Sequence, residues 1–313
     1  MMTCGVLPKS LPGCSRICWF EHWRRAPRQS PYRLALPMTW HARLNLDYSL
    51  ESGRSVARHR HAGPLRVLQS LYPEGDAICH NVLVHPPGGL VGGDTLELNV
   101  SVSAGAHGLV TTPGASRFYR SDGDLALQQT HITVQAGARM EWLPLESICY
   151  SGCLAENRLQ LALAPGAELL GWDITALGLP AAGKPFDAGR FCQHIEMPGV
   201  WLERAQIRAS DTLLLNSPLG FAGHRCIGTL FFAAGSRLDR KRRQLALDLA
   251  CDILGGQGGN AIAGSTSPDS QIVLVRVLSP VVEPAFDLLR KIRAAWRRHF
   301  WDCTGSSPRI WAT

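Results

Sequence analysis

The octapeptide GLPAAGKP, Gly178 to Pro185, carries the Gly-x4-Gly-Lys spacing of a phosphate-binding loop and follows a stretch that reads as a strand. It breaks at Pro185, where such a loop needs a serine or threonine hydroxyl for magnesium, and proline also removes a backbone N–H from the anion cradle. An ordinary turn is therefore expected there. GGQGG, Gly255 to Gly259, follows a helical pattern instead of opening one and reads as a loop. His59-x-His61, within ARHRHAG, would put two imidazoles on one side of a strand, where they could hold a metal. The pair also fits two surface histidines in a basic stretch. Ten cysteines contain no Cys-x-x-Cys and no paired zinc spacing, and Cys149-Tyr-Ser-Gly-Cys153 keeps three residues between its thiols. Without a secretory apolar segment, reduced and mostly buried thiols in a cytoplasmic protein are expected. No Gly-x-Ser-x-Gly or His-Glu-x-x-His occurs. These residues form no coherent catalytic set, so the expectation is binding or scaffolding without enzymatic activity.

The charge points the same way. Of the formal +7, residues 1–37 contribute six basic side chains against Glu21, or +5, which leaves +2 for everything from Met38 onward. A nucleic-acid binder concentrates charge on its folded face, and this body does not. The first 37 residues lack apolar periodicity and are broken by five prolines, so a non-structural extension is expected, with one domain over 38–313. The Arg24-Arg25 pair has no apolar segment after it. No apolar run approaches the length of a membrane helix; the nearest, Ile227 to Ala234, is strand-length.

The elements that must position any site are mostly strands. ELNVSVSAGAHGLVTT, THITVQAGARMEWLP and LQLALAPGAELLGWD each read as an alternating strand, a turn around Gly105, Gly137 or Gly166, and a second strand. One apolar face is carried by Leu98, Val100 and Val102 in the first unit and by Leu159, Leu161 and Leu163 in the third. A two-stranded ribbon cannot bury such a face alone, so the units should stack. The expected fold is mainly β, an elongated stack of strands resembling a β-helix, with two helices in the C-terminal half. Asp239 to Leu254 places Leu245, Leu249 and Ile253 on one face, with Gly255-Gly256 as its stop. Phe286 to Phe300 places Phe286, Leu289, Ile292, Trp296 and Phe300 on one stripe, with Arg290, Arg293, Arg297 and Arg298 mainly elsewhere.

One stretch, HPPGGLVGGDTL from His85 to Leu96, packs two prolines and four glycines just around an acidic residue, Asp94. It occurs in a series: GPLRV (63–67), YPEG (72–75), HPPGGLVGGDTL (85–96), TTPGASRFYRS (111–121), EWLPLESICYSG (141–152), FDAG (186–189) and the closing PRIWAT (308–313). In this order the strings resemble the urease accessory protein UreD family, also called UreH, from about Trp40 to Thr313. The resemblance implies a β-rich stack of strands with two helices and a nickel chaperone rather than an enzyme. Such a chaperone docks on the urease apoprotein, binds the accessory protein UreF and through it the GTPase UreG, and passes nickel(II) along an internal channel. It implies no tightly bound cofactor, only transient nickel(II), and it leaves room for a dimer within the accessory complex. A β-rich scaffold of another metal-delivery or assembly complex is the alternative.

Carried over by motif, the resemblance implies a metal passage at Asp94, at Ser116 and Arg117 in GASRF, at Asp173 in GWDI and, on a looser match, at Glu203 in WLERA. Sparse oxygen ligands suit a passage, because dense soft ligands would trap the metal. For each carboxylate a turn cap or a salt bridge is the other reading. Arg117 stands where the family has lysine, which keeps the charge on a planar fork. Leu145, Leu179 and Lys184 also depart from the family pattern. A surface for UreF is expected in the C-terminal region, with Phe286, Trp296, Arg297 and Phe300 as candidates, because large aromatics beside arginine are enriched in interfaces.

Overall fold

The structure, a computed structural model, describes residues 39–256 and 260–312. The readings of residues 1–37 and of Gln257 to Gly259 in GGQGG lie outside the described residues. In chain order the strands are β1 (His41–Glu51), β2 (Arg54–Ala62), β3 (Arg66–Leu71), β4 (Ile78–Val84), β5 (Thr95–Val102), β6 (His107–Thr111), β7 (Ser116–Phe118), β8 (Ala126–Val134), β9 (Arg139–Leu143), β10 (Ser147–Cys149), β11 (Cys153–Leu163), β12 (Glu168–Leu177), β13 (Gly189–Met197), β14 (Trp201–Arg208), β15 (Cys226–Ala234), β16 (Ile262–Asp269) and β17 (Ile272–Ser279). The helices are α1 (Thr212–Asn216), α2 (Arg240–Gly255) and α3 (Val282–Trp301).

The repeat units stack, but not as ribbons. β5, β8 and β11 pair in parallel with one another in a seven-stranded sheet of order β14-β13-β11-β8-β5-β1-β2, while β6, β9 and β12 pair in parallel in a second, ten-stranded sheet. The two strands of a unit are thus an arch across the core, each hydrogen-bonded to its counterpart in the next unit. Both strands of each arch carry an apolar face, and facing each other buries both at once, worth roughly 1.5–3 kcal/mol per large side chain. Gly105, Gly137 and Gly166 turn the arches at φ of 76°, 70° and 79°, a left-handed conformation that costs other residues more. The result is a solenoid-like stack of strands, mainly β, closed at its edges by antiparallel strands: β2 and β14 on the first sheet, and β3 and the β15-β17-β16 group on the second.

A third layer covers the outer face of the second sheet. The core therefore has two parts, one between the sheets and one between β12, β15, β17 and helices α2 and α3. Helix α2 is capped by Asp239, whose carboxylate accepts from Arg242 N at 2.8 Å. Its buried face differs from the expected one. Ala246 and Ala250 are buried and Leu245 is exposed, because the large Trp296 of α3 lies against α2 and donates its indole N–H to Ala246 O at 2.9 Å. Helix α3 begins at Val282, a turn earlier than read, since Pro284 falls in the first turn where its missing N–H costs nothing. The Gly178–Pro185 segment is a tight turn, with a 3-10 turn at Pro180–Ala182 closed by a Leu179–Lys184 bridge. None of the described helices is long and apolar enough to cross a membrane.

Candidate functional site

Period-2 alternation puts Asp173 and Thr175 of β12 on the same side as Leu169 and Leu177, facing the first sheet. Facing positions on the first sheet are Gln128 (β8), Asn157 (β11), Gln193 (β13) and Glu203 (β14), and the second sheet adds Thr229 (β15) and Arg276 (β17). These side chains make a polar seam through an otherwise apolar layer. Gln128 Nε2 donates to Asn157 Oδ1 at 3.3 Å and Asn157 Nδ2 to Asp173 Oδ2 at 2.7 Å. Asp173 Oδ1 accepts from Gln193 Nε2 at 2.5 Å and from Thr175 Oγ1 at 3.2 Å. Nearer the edge, Glu203 accepts from Thr229 Oγ1 at 3.3 Å and pairs with Arg276 Nη2 at 2.6 Å.

The seam is electrostatically graded. Asp173 is 7% exposed, and burial, with the charge of Glu203 adding, pushes its carboxyl up to about 6 against the downward pull of Thr175 and Asn157. Glu203 is mostly buried, whereas its partner Arg276 is half-exposed at the edge where β14 ends the first sheet. From the edge inward, the seam runs from a carboxylate paired with a half-exposed arginine to a second carboxylate held by amides and a hydroxyl. Apart from the Arg276 guanidinium at the edge, the polar groups along this row are carboxylates, hydroxyls and side-chain amides. Among the described residues, no group of three or more His, Cys, Asp or Glu is placed to hold a metal ion.

The other expected passage residues lie elsewhere. Asp94 is buried, but both oxygens are committed to backbone: Oδ1 accepts from Trp40 N and Oδ2 from Val91 N, each at 2.9 Å. It braces the glycine-rich turn against the start of β1. That turn needs its glycines because a Cβ on Gly89 would stand 2.3 Å from the Tyr119 ring and 2.9 Å from Arg117 O, and Gly93 has φ of 90°. Ser116 is half-buried on β7, where its N–H donates to Glu146 O at 2.9 Å, and Arg117 is exposed. The structure thus brings together Asp173 and Glu203. Gln128, Asn157, Thr175, Gln193, Thr229 and Arg276 were not anticipated. Their signal was a polar residue at an inward position of an alternating strand, as Gln193 is between Phe191 and Ile195.

The proposed partner face on α3 is corrected at two positions. Trp296 and Arg297 are fully buried. Arg297 Nη1 and Nη2 donate to Glu74 at 3.0 Å, and Nε lies 3.0 Å from Glu141 Oε1 without hydrogen-bond alignment. Arg293, also fully buried, donates from Nε and Nη2 to Glu141 Oε2 at 2.9 and 2.6 Å. Burial would raise Glu141, yet Arg293, His107 and Arg297 hold it well below the usual carboxylate range, and His80 and Arg297 similarly bring Glu74 down to about 2. Phe300 is half-buried against Phe232. Phe286 does reach a surface feature, a groove of about 980 Å³ shared with Leu145, Leu179 and Trp311, with Glu146 and Glu283 on its wall.

The described residues thus form a two-sheet stack of arches, with a helical cover on the second sheet and a polar seam between the two. The family model for the UreD urease accessory protein matches residues 41–312, and the chain belongs to that family. It is 71% identical over 275 residues to the urease accessory protein UreD of Polaromonas sp. (strain JS666 / ATCC BAA-500), with 88% of this chain and all of the relative covered. The same shares are covered by the UreD proteins of Polaromonas naphthalenivorans (strain CJ2), at 66% identity, and Variovorax paradoxus (strain S110), at 63%.

Proposed function

We propose that the chain serves urease maturation as a non-enzymatic nickel chaperone, passing nickel(II) along the seam from the Glu203 edge past Asp173. Asp173 carries the reading: a buried carboxylate between two sheets, hydrogen-bonded by Asn157, Gln193 and Thr175, with no basic side chain paired to it among the described residues. A buried charge is costly unless compensated. A transient divalent ion supplies that compensation, and oxygen ligands release it again. In this reading the chain docks on the urease apoprotein and binds UreF, which recruits UreG. The groove beside Phe286 is the UreF-facing surface in place of Trp296 and Arg297, since it combines an apolar floor with charges of both signs, Glu146, Glu283 and Asp287 beside Arg225, Arg290 and Arg309. Maturing urease with Asp173→Asn is the test. Nickel per urease active site should fall at least tenfold while the UreF complex co-purifies as before, and normal nickel content would refute the route.

A further inference from the structure

The seam leaves one sequence feature unused. His59 and His61 lie on β2, the edge strand of the first sheet opposite β14, and are paired across to Leu46 and Leu44 of β1. Opposed residues of an antiparallel pair share a face, so both imidazoles stand on the side of Leu44 and Leu46, with His59 half-buried and His61 exposed at the sheet edge. Their rings are stacked, with centroids 5.9 Å apart and planes at 18°. His59 Nδ1 is buried without a hydrogen-bond partner, which a ring nitrogen away from water does not ordinarily tolerate. The flanking Arg58 and Arg60 point to the other face, where Arg58 is held by Glu51.

We propose that His59 and His61 form a labile two-imidazole site for a borderline divalent cation such as nickel(II), copper(II) or zinc(II). Two neutral imidazoles at i and i+2 of a strand can converge on one ion by small rotations about χ2, a soft torsion that also lets either nitrogen of His59 face its neighbour. Imidazole selects these metals over magnesium or calcium. Water fills the remaining positions, because no third protein ligand stands with the pair among the described residues. Such a site captures metal and exchanges it readily. It lies across the sheet from Glu203, so it is independent of the seam, and its failure would leave the Asp173 reading as it stands.

The test uses the full chain titrated with Cu²⁺, the divalent ion bound most tightly by nitrogen ligands, and read by electron paramagnetic resonance. One equivalent with hyperfine coupling to two nitrogens is expected. His59→Gln and His61→Gln should each abolish that signal and weaken Ni²⁺ binding by calorimetry at least tenfold, while Arg60→Gln, on the opposite face, keeps both. Circular dichroism melts of the variants guard against loss through unfolding. A two-nitrogen signal that persists in both histidine variants, or its absence from the wild type, overturns the proposal.

Discussion

Replacing Asp173 by asparagine should separate what the seam does from what it costs. The carboxyl moves from 3.8 to about 6 on folding because burial disfavours its charge. The folded value is above the unfolded one, so the native state holds the proton more tightly. Stability from this group is full below about pH 3.8 and is lost as pH rises through about 6. At about 1.36 kcal/mol per pH unit, the ionised carboxylate makes the fold about 3 kcal/mol less stable than the protonated one. Asparagine has the same shape and no charge to desolvate. It presents an amide where Asn157 or Gln193 now donates, a mismatch of about 1–2 kcal/mol that an amide flip can relieve.

The quantity to measure is therefore a difference. Urea unfolding of the wild type and Asp173→Asn at about pH 4.5 and about pH 7.5 should show the variant gaining on the wild type by most of about 3 kcal/mol across that range. In parallel, urease matured with the variant should contain little nickel. A variant equally or more stable at neutral pH yet unable to load urease identifies the carboxylate as functional. If the stability difference does not change with pH, the burial argument is wrong; if nickel loading is normal, the passage is wrong whatever the stability shows.

Asp94→Ala should act oppositely, losing two charge-assisted bonds to the backbone and about 1–3 kcal/mol of stability, with nickel loading per folded molecule unchanged. Arg293→Met leaves Glu141 buried without its closest partner and should cost about 3–5 kcal/mol, seen as insoluble protein or a strongly lowered melting point. Phe286→Asp should abolish co-purification with UreF while lowering the melting point, because Phe286 packs on Trp172 and Trp311; retained binding by the folded variant would place the interface elsewhere. A chain beginning at Met38 should activate urease as the full chain does, and loss of activation would show that residues 1–37 are needed.

The arches are legible in sequence because alternation and a glycine recur together: Leu98, Val100 and Val102 ahead of Gly105 are an inward face and its turn, and both are found in place. What alternation cannot disclose is the partner of each strand. A ribbon and an arch have the same local pattern, and only the parallel pairing of β5 with β8 distinguishes them. The seam was half legible for a related reason. Asp173 and Glu203 came through family motifs, whereas Asn157, Gln193 and Thr229 are inward polar residues whose meaning depends on strands that sequence does not place side by side.

Helix α3 misleads for a different physical reason. An amphipathic reading sends arginine to water, and Lys291 and Arg298 do go there, but Arg293 and Arg297 turn inward to acceptors 152 and 223 residues away. No local window contains Glu141 or Glu74, so no periodicity could have reported them. A buried ion network of this kind adds little net stability over apolar packing, but it is severe toward incomplete arrangements, because a shifted helix would strand several charges at once. Shifting α3 by one residue would carry Arg293 and Arg297 off Glu141 and Glu74 and Trp296 off Ala246 together. The network therefore fixes the rotation and height of α3 on the second sheet. Phe286 lies two turns before Arg293 on the same rigid element, so the buried arginines, though unavailable to a partner themselves, determine where the groove wall stands.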